Sequence, residues 1–292
     1  MTISAIIPTC EAADSIEALI QKLQTQSLRP DEIIVVDSES QDGTAALARQ
    51  CGVQVLEVKR SQFDHGGTRD LALRASTGVI VLFLTQDATP VDDGYIEALV
   101  RPFADARVAA ASGRQVARPA ARAFEKAVRE YRYPECDRTW DASDVPELGI
   151  RSFQLSDVCA AYRRSAYEAV GGFESPLLTN EDMLIAADFL EQGYRLAYCS
   201  QAAVWHSHNY TLSQEYRRNR LIGRFMQRYG SRMLGIKENA EGLQLVKQVV
   251  RSLLRQGKVW ECCCFAANCA ARILGNRAGR RMERKAEIHA EG

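Results

Sequence analysis

The chain has 292 residues, of which 46% are hydrophobic and 25% are charged, the composition of an ordinary globular protein with a large core. Its formal net charge is zero, but residues 1–216 hold 20 basic and 31 acidic residues, whereas residues 217–292 hold 17 and 6, so the regions carry −11 and +11. No run approaches about 18 uncharged apolar residues, and the first residues lack the basic region of a secretory signal, so we expect neither a membrane span nor export. The nine cysteines include no C-x-x-C pair, which argues against a zinc or redox site and favours reduced, buried thiols.

Short apolar runs alternate with helical patterns near the start of the chain. The predicted strands, all rich in β-branched residues, are Ala5–Thr9, Glu32–Asp37, Val53–Val58 and Val79–Leu84. Residues 15–23 carry apolar side chains at helical spacing, and residues 45–50 begin a second helix. A strand, a helix and a strand within about thirty residues form the βαβ unit of a parallel sheet. The sequence therefore predicts an α/β protein.

Two of these strands run directly into a lone carboxylate. Asp37 ends the second strand, and Asp87 follows the fourth after Thr85 and Gln86. Ligands of open parallel sheets gather beyond the carboxyl ends of the strands, so Asp37 is predicted to hold a ribose or base. Asp87 is predicted to hold Mg²⁺ or Mn²⁺, or to lie beside a diphosphate, although it could instead only cap the turn before Pro90. No G-x-G-x-x-G loop follows the first strand, which argues against an NAD-type Rossmann domain.

A glycine pair lies between the third and fourth strands, in the segment Phe63–Asp70. Paired glycines let a backbone approach a ligand closely, and a helix that starts after them directs free N–H groups at an anion. His65 and Arg69 add donors beside Gly66. The segment is therefore compatible with a phosphate-binding helix start. The alternative is an ordinary helix start, with Thr68 as its cap and Arg69 as a surface charge.

Three segments at the carboxyl ends of these strands resemble the motifs of family 2 glycosyltransferases, which have the GT-A fold. They are Ile7–Thr9, Val36–Thr44 and Leu84–Ala88. Residues 63–69, Phe-Asp-His-Gly-Gly-Thr-Arg, are similar to the rhamnosyltransferase-like branch of that family. The resemblance covers residues 3–215. It implies a GT-A domain over residues 1–215, with a mostly parallel sheet flanked by helices. It does not cover residues 216–292, where the charge and the apolar spacing predict a C-terminal basic, amphipathic helical region.

The resemblance also implies a binding site for a nucleotide-sugar donor. The residues that it assigns to the nucleotide and donor are Pro8, Thr9, Glu11, Asp37, Ser38, His65, Gly66, Arg69, Gln86 and Asp87. Many family members have Asp-x-Asp where this chain has Thr85-Gln86-Asp87, so the expected site for a divalent metal ion has one carboxylate fewer.

An acidic pair and a histidine pair follow further along the chain. Glu181 and Asp182 open a predicted helix, where two acids would complement the helix dipole in any protein. His206 and His208 lie two apart on an extended segment and so face the same side, which suits contact with one ligand, although incidental surface histidines are the alternative. The resemblance implies that Asp182 is the general base and that Glu181 and His208 lie on the acceptor side. It also implies that His206 completes the metal site with Asp87.

The C-terminal region is basic and amphipathic. Arginines recur from Arg217 to Arg232, residues 243–254 carry apolar positions at helical spacing, and Arg277–Lys285 forms a basic tail. Basic amphipathic helices bind anionic membrane surfaces, which is the partner that we favour. The alternatives are packing, self-association into a homo-oligomer, and nucleic-acid binding, and no nucleic-acid motif accompanies the charge.

These features predict an inverting glycosyltransferase that moves a sugar to a lipid-linked or saccharide acceptor in bacterial surface polysaccharide synthesis. The likeness of residues 63–69 favours L-rhamnose from dTDP-L-rhamnose, with a UDP-hexose as the alternative donor. The sequence is also compatible with a non-catalytic nucleotide-sugar-binding subunit and with a sugar nucleotidylyltransferase, although a nucleotidylyltransferase usually opens with a Gly-rich loop that this sequence does not contain. We expect a cytoplasmic protein, peripheral on the inner face of the cell membrane.

Overall fold

The computed structural model describes residues 1–177, 179–233 and 238–291, so part of the predicted C-terminal region lies outside the described residues. Its strands and α-helices, in chain order, are β1 (Ile3–Thr9), α1 (Ile16–Gln24), β2 (Glu32–Asp37), α2 (Thr44–Gln50), β3 (Gln54–Glu57), α3 (His65–Ala75), β4 (Ile80–Leu84), β5 (Thr89–Pro90), α4 (Tyr95–Val100), β6 (Val108–Val116), α5 (Ala123–Arg132), β7 (Arg138–Trp140), α6 (Val145–Leu148), β8 (Cys159–Arg163), α7 (Arg164–Ala169), α8 (Glu181–Glu191), β9 (Arg195–Trp205), α9 (Leu212–Tyr229), α10 (Glu238–Arg255) and α11 (Val259–Glu291). The four predicted strands are confirmed to within two residues at each end.

The chain forms two compact units. The first contains the sheet and comprises Met1–Val116, Tyr133–Leu177 and Glu181–His206. The second is built of helices and comprises Ala117–Arg132, Leu178–Asn180 and Ser207–Gly292. The second unit thus takes in α5 from the middle of the chain, which no sequence signal indicated. The domain boundary after residue 215 stays a prediction.

Among the described residues, nine strands form one sheet in the order β3-β2-β1-β4-β8-β6-β9-β5, with β7 paired to β9. Strand β1 lies parallel to β2 and β4, β2 lies parallel to β3, and β6 lies parallel to β9. Strand β8 is antiparallel to both of its neighbours, β4 and β6. Six strands therefore share one direction, which confirms the predicted α/β fold with a mostly parallel sheet.

The core of the first unit explains why the carboxyl ends of β1, β2 and β4 meet. Residues of these strands are buried on both faces of the sheet, as their continuous apolar runs require. Helix α1 buries Ile16, Leu19, Ile20 and Leu23, whose spacing places them on one face. In the parallel register Thr9 lies opposite Asp37, so the polar residues that end these strands collect at one edge of the sheet.

The helical unit has its own apolar core and an unusually close helix pair. Helices α5, α10 and α11 share a core that includes Phe124, Val249 and Phe265. Helices α9 and α11 approach so closely that a Cβ atom on Gly223 would overlap the backbone of α11, and one on Gly279 would overlap the backbone of α9. The predicted basic tail, Arg277–Lys285, lies within one helix, α11, of 33 residues. Within the described part of the chain, no helix combines the length and the apolar character needed to cross a bilayer.

Candidate active site

Asp37 is held rigidly where β2 ends. Asp37 is only 1% exposed. Its carboxylate accepts hydrogen bonds from Thr9 Oγ1 at 2.9 Å, from Ser40 Oγ at 2.6 Å and from Ser40 N at 2.9 Å. Three donors stabilise the buried charge and fix the side chain. The neighbouring Ser38 Oγ is buried and has no hydrogen-bond partner among the described residues. A bound ligand would satisfy this hydroxyl, which keeps Ser38 a candidate for donor binding together with Pro8 and Thr9 in β1.

The turns after β1 and β4 are joined by one amide side chain. Gln86 Oε1 accepts from Cys10 N at 2.7 Å, and Gln86 Nε2 donates to Cys10 O at 3.0 Å. The next residue, Glu11, has a φ of 51° and accepts a hydrogen bond from the guanidinium of Arg60 at 2.5 Å. Gln86 and Glu11 therefore shape the loops beside the predicted donor, and their contact with a donor stays a prediction.

The structure brings together the two predicted metal ligands of the first unit. His206 follows β9, Asp87 follows β4, and His206 Nε2 lies 3.5 Å from Asp87 Oδ2. On the other side of the ring, His206 Nδ1 lies 2.9 Å from Gln115 Oε1, and Gln115 Nε2 donates to Ser156 Oγ at 2.8 Å. In this arrangement the side-chain oxygen of Gln115 faces Nδ1, so a proton on Nδ1 would be donated to Gln115 and the lone pair of Nε2 would face the carboxylate of Asp87.

An imidazole nitrogen and a carboxylate oxygen that face each other suit a divalent cation. One nitrogen and one oxygen ligand fit Mn²⁺ or Mg²⁺, and the phosphate oxygens of a donor would fill further positions. The buried Gln115 lies behind the His206 ring, the position from which outer residues of metal sites orient a ligand. His208 belongs to the second unit, where its ring stacks on Tyr210 with 4.7 Å between centroids. Its predicted role stays a prediction.

The start of α3 has a cap that neither interpretation of the glycine pair included. Asp64 is the cap, and its Oδ1 accepts from Gly66 N at 3.1 Å and from Gly67 N at 3.0 Å. Thr68, the alternative cap, is instead buried inside the helix, so that part of the alternative was wrong. The glycines have a packing reason, because a Cβ atom on Gly66 would lie 2.5 Å from the carbonyl oxygen of Glu174. The N–H groups expected to face a phosphate already bind the Asp64 carboxylate, so donor contacts of Gly66 stay a prediction.

A buried cluster of three carboxylates and one guanidinium lies at the start of α8. Arg69 is 5% exposed, so the alternative of a surface charge was wrong. Its Nη1 donates to Glu181 Oε1 at 2.9 Å, and its Nε lies 3.4 Å from Asp157 Oδ2. Tyr162 donates to Asp157 Oδ1 at 2.6 Å, and the backbone N of Asp157 donates to Asp182 Oδ2 at 3.4 Å. Two acids predicted at the start of a helix are thus joined to α3 and β8.

The electrostatics of this cluster favour retention of a proton. Burial raises the pKa of Asp182 well above its usual range, and the negative charges of Glu181 and Asp157 raise it further, against the charge of Arg69. Burial likewise raises the pKa of Asp157 to about 6, again opposed by Arg69. Burial also lowers the pKa of the nearby His65, which favours the neutral ring. A carboxyl group whose proton affinity is raised by its surroundings is suited to take a proton from a substrate.

Two residues of the site escaped the sequence analysis. Asp157 had a signal of the kind used for Asp37 and Asp87, because it is a lone acid next to a buried apolar strand, here just before β8 rather than after it. Gln115 had none, since a polar residue near the end of β6 becomes informative only when β6 and β9 are known to be neighbours.

The sheet topology is that of the GT-A fold, and the chain belongs to glycosyl transferase family 2, whose model matches residues 4–171. The chain is therefore a glycosyltransferase, as the sequence analysis predicted.

Among its relatives, the O-antigen chain rhamnosyltransferase RfbN of Salmonella typhimurium is 35% identical over 264 residues, which cover 89% of this chain and 84% of RfbN. The O-antigen chain rhamnosyltransferase WbaN of Salmonella anatum is 35% identical over 259 residues, which cover 87% of this chain and 82% of WbaN. The predicted likeness to the rhamnosyltransferase-like branch is confirmed by these two relatives.

Solved structures support the fold. A mannosyltransferase from Pyrobaculum calidifontis, in complex with GDP-Man and Mn²⁺, matches with a TM-score of 0.61 and 20% identity and covers 94% of this chain and 73% of that one. Glucosyl-3-phosphoglycerate synthase from Mycobacterium tuberculosis, in complex with Mn²⁺, UDP and glucosyl-3-phosphoglycerate, matches with a TM-score of 0.56 and 23% identity, covering 78% and 80%. At such identities the likeness concerns the fold alone.

Proposed function

We propose that this glycosyltransferase transfers L-rhamnose from dTDP-L-rhamnose, with inversion, to a lipid-linked or saccharide acceptor in bacterial surface polysaccharide synthesis. Two rhamnosyltransferases that are 35% identical over most of the chain support the sugar and the O-antigen type of product. The observation that carries the catalytic part is the buried cluster that raises the pKa of Asp182. The proposed reaction takes place at the inner face of the cell membrane.

Asp182 is the proposed general base. As the acceptor oxygen forms its bond to the anomeric carbon, the hydroxyl proton passes to the Asp182 carboxylate and the bond to the departing diphosphate breaks. A single displacement of this kind inverts the anomeric centre. Because Asp182 must be ionised to accept the proton, its raised pKa makes it a stronger base and sets the acid limb of activity. Glu181 and Arg69 hold the start of α8 in place on the acceptor side.

The donor side is proposed at the edge of the sheet where β1, β2 and β4 end. Asp37, fixed by Thr9 and Ser40, would orient the nucleoside, and Asp87 with His206 would hold the divalent ion. That ion would neutralise the negative charge that develops on the departing diphosphate. Arg69 was predicted to share this task, but its charge is balanced by Glu181 and Asp157. We assign Arg69 to the acid cluster instead.

A donor screen tests the reaction. Purified protein is given dTDP-L-rhamnose, UDP-glucose, UDP-galactose or GDP-mannose, each with Mn²⁺ and with EDTA, and transfer to water or to an acceptor is measured. Selective turnover of dTDP-L-rhamnose that EDTA removes is the expected result. Turnover of a UDP-hexose instead would reject the rhamnosyl donor and keep the chemistry, and binding without turnover would favour the non-catalytic subunit.

Two variants test the assigned residues. Asp182→Asn should lower kcat by about 10²- to 10⁴-fold, because the proton loses its acceptor while the side chain keeps its size. Glu191→Gln, at the exposed end of the same helix, is the matched control and should keep the wild-type rate. Asp87→Ala should abolish metal-dependent transfer, with the exposed Asp93→Ala as control. Wild-type kcat in Asp182→Asn would reject the base, and wild-type metal dependence in Asp87→Ala would reject the ligand.

A further inference from the structure

One face of α10 is basic from Lys247 to Arg255. Leu245, Val249 and Leu253 are buried in the core of the helical unit. On the opposite side, Lys247, Arg251 and Arg255 are exposed and lie about one helical turn apart, because they are four residues apart in sequence. These three residues line a groove of about 680 Å³ together with glutamine and serine side chains.

The sequence around these cations contains no acidic residue. From Gly242 to Trp260 the sequence has Lys247, Arg251, Arg255 and Lys258 but no aspartate or glutamate. Within the described part of the chain, no acidic side chain forms an ion pair with Lys247, Arg251 or Arg255, whereas Arg272 on α11 pairs with Glu215 at 2.9 Å. A charged stripe that is unpaired over two turns of an exposed helix indicates an external anionic partner.

Apolar side chains border the stripe and cluster at the corner between α10 and α11. Leu254 is 53% exposed, Val259 62% and Trp260 74%. The other two tryptophans are less exposed, and Trp140 is 4% exposed. A tryptophan that lies beside aliphatic and basic residues suits the interface of a bilayer, where the ring enters the headgroup region and the cations meet phosphate. Nucleic acid would use the cations but would not require the aliphatic residues.

We propose that this surface, which we call the α10 face, docks on a bilayer that contains anionic phospholipids. It consists of Leu243, Lys247, Arg251, Leu254, Arg255, Lys258, Val259 and Trp260. Four cations attract the negatively charged headgroups, and the exposed leucines, Val259 and Trp260 enter the outer edge of the acyl region. Docking through the α10 face would bring the enzyme to the proposed lipid-linked acceptor, and this benefit rests on the proposed function. The docking itself does not depend on the identity of the acceptor.

Vesicle binding tests the proposal with the full-length protein. Vesicles of phosphatidylcholine alone, and vesicles with one third phosphatidylglycerol, are mixed with the protein and separated by flotation. We expect binding to the anionic vesicles only, weakened by 0.5 M NaCl. Phosphatidylglycerol with brominated acyl chains should quench the tryptophan fluorescence of the wild type. Trp260→Phe should remove that quenching, because Trp140 and Trp205 belong to the first unit and are less exposed.

Matched variants separate this surface from general charge. Lys247→Gln, Arg251→Gln and Arg255→Gln together should weaken binding by about 100-fold, since each cation near an anionic surface contributes roughly fivefold. The control removes the same charge from exposed positions of α11, with Arg277→Gln, Arg281→Gln and Arg284→Gln, and should keep most of the affinity. Trp260→Ala should weaken binding on the order of tenfold.

The outcomes that overturn the proposal are defined by the same experiment. They are equal binding to neutral vesicles, no binding to either kind, and equal losses in the α10 and α11 variants. Binding of a short DNA duplex without binding of vesicles would assign the surface to nucleic acid instead. In an assay with a water-soluble acceptor the α10 variants should keep the wild-type rate, so failure of the docking proposal and failure of the proposed function give different results.

Discussion

Arg69→Met tests whether the acid cluster depends on its one guanidinium. Methionine keeps much of the length of the side chain and removes the charge that Glu181 and Asp157 share. Removal of one partner from a buried ion pair leaves an uncompensated charge and costs about 3–5 kcal/mol. For a chain of this size that corresponds to a fall in Tm of about 10 °C. The same helix offers a control in Arg74, which pairs with Asp70 at 2.6 Å but is 71% exposed.

Arg74→Met should cost no more than about 0.5 kcal/mol, because exposed pairs of this spacing contribute little. Both variants therefore replace an arginine of α3 that is ion-paired with a carboxylate, and the two arginines differ in burial. The free energy of unfolding is measured by urea denaturation at pH 4.5 and at pH 8. Equal losses in the two variants would refute the conclusion that the cluster is buried and electrostatically coupled.

The pH dependence adds a second criterion. In the folded protein the pKa of Asp157 is raised from 3.8 to about 6. The stability that this shift contributes is therefore fully present below pH 3.8 and is lost as the pH rises through about 6. Arg69 opposes that rise, and its removal should raise the pKa of Asp157 and Asp182 further. The deficit of Arg69→Met should therefore be smaller at pH 4.5 than at pH 8. A deficit that is independent of pH would contradict the electrostatic explanation.

Three further predictions follow from single contacts. Gln115→Met should weaken the binding of Mn²⁺ by about 10- to 100-fold, because His206 loses the side-chain oxygen that faces Nδ1. The affinity is measured by calorimetry without donor, and an unchanged affinity would exclude this role of Gln115. Asp157→Asn should move the acid limb of kcat/KM to lower pH, since a negative charge beside Asp182 is removed, and a shift to higher pH would reverse the argument. Asp64→Ala should lower the free energy of unfolding by about 1–2 kcal/mol, because the cap of α3 is lost. A decrease smaller than that caused by a substitution at an exposed surface position would exclude the cap.

The parallel half of the sheet was predictable because each of its strands is coded locally. Continuous apolar runs end in polar residues, and parallel pairing brings those ends together without further information. The strands on the other side of β4 were not predictable in the same way. Strand β9 pairs with β5, β6 and β7, whose sequences lie far apart, so their order depends on long-range packing that no local pattern reports.

The same distinction explains which site residues were found. Asp87 and His206 stood out because acids at strand ends and rare histidines are conspicuous, whereas Gln115 acquires a role only through β6 and β9. A phosphate contact was predicted for Arg69 and stays a prediction. The partners that the structure gives this guanidinium, Glu181 and Asp157, were not predicted. They lie about ninety or more residues away in sequence, and a buried pair formed over such a separation depends on tertiary structure.

Gln86 gives the site a different balance between charge and rigidity. It stands where an acid would complete an Asp-x-Asp pattern, and it both accepts from and donates to the backbone of Cys10. An aspartate could accept from the Cys10 N–H but could not donate to the Cys10 carbonyl oxygen. Gln86→Asp would therefore add a carboxylate oxygen and break one of the two hydrogen bonds that join the turns. The two turns are thus already ordered before a donor arrives, and less conformational entropy is lost when it binds. Gln86 therefore offers, in place of a second carboxylate, two hydrogen bonds that hold these turns together.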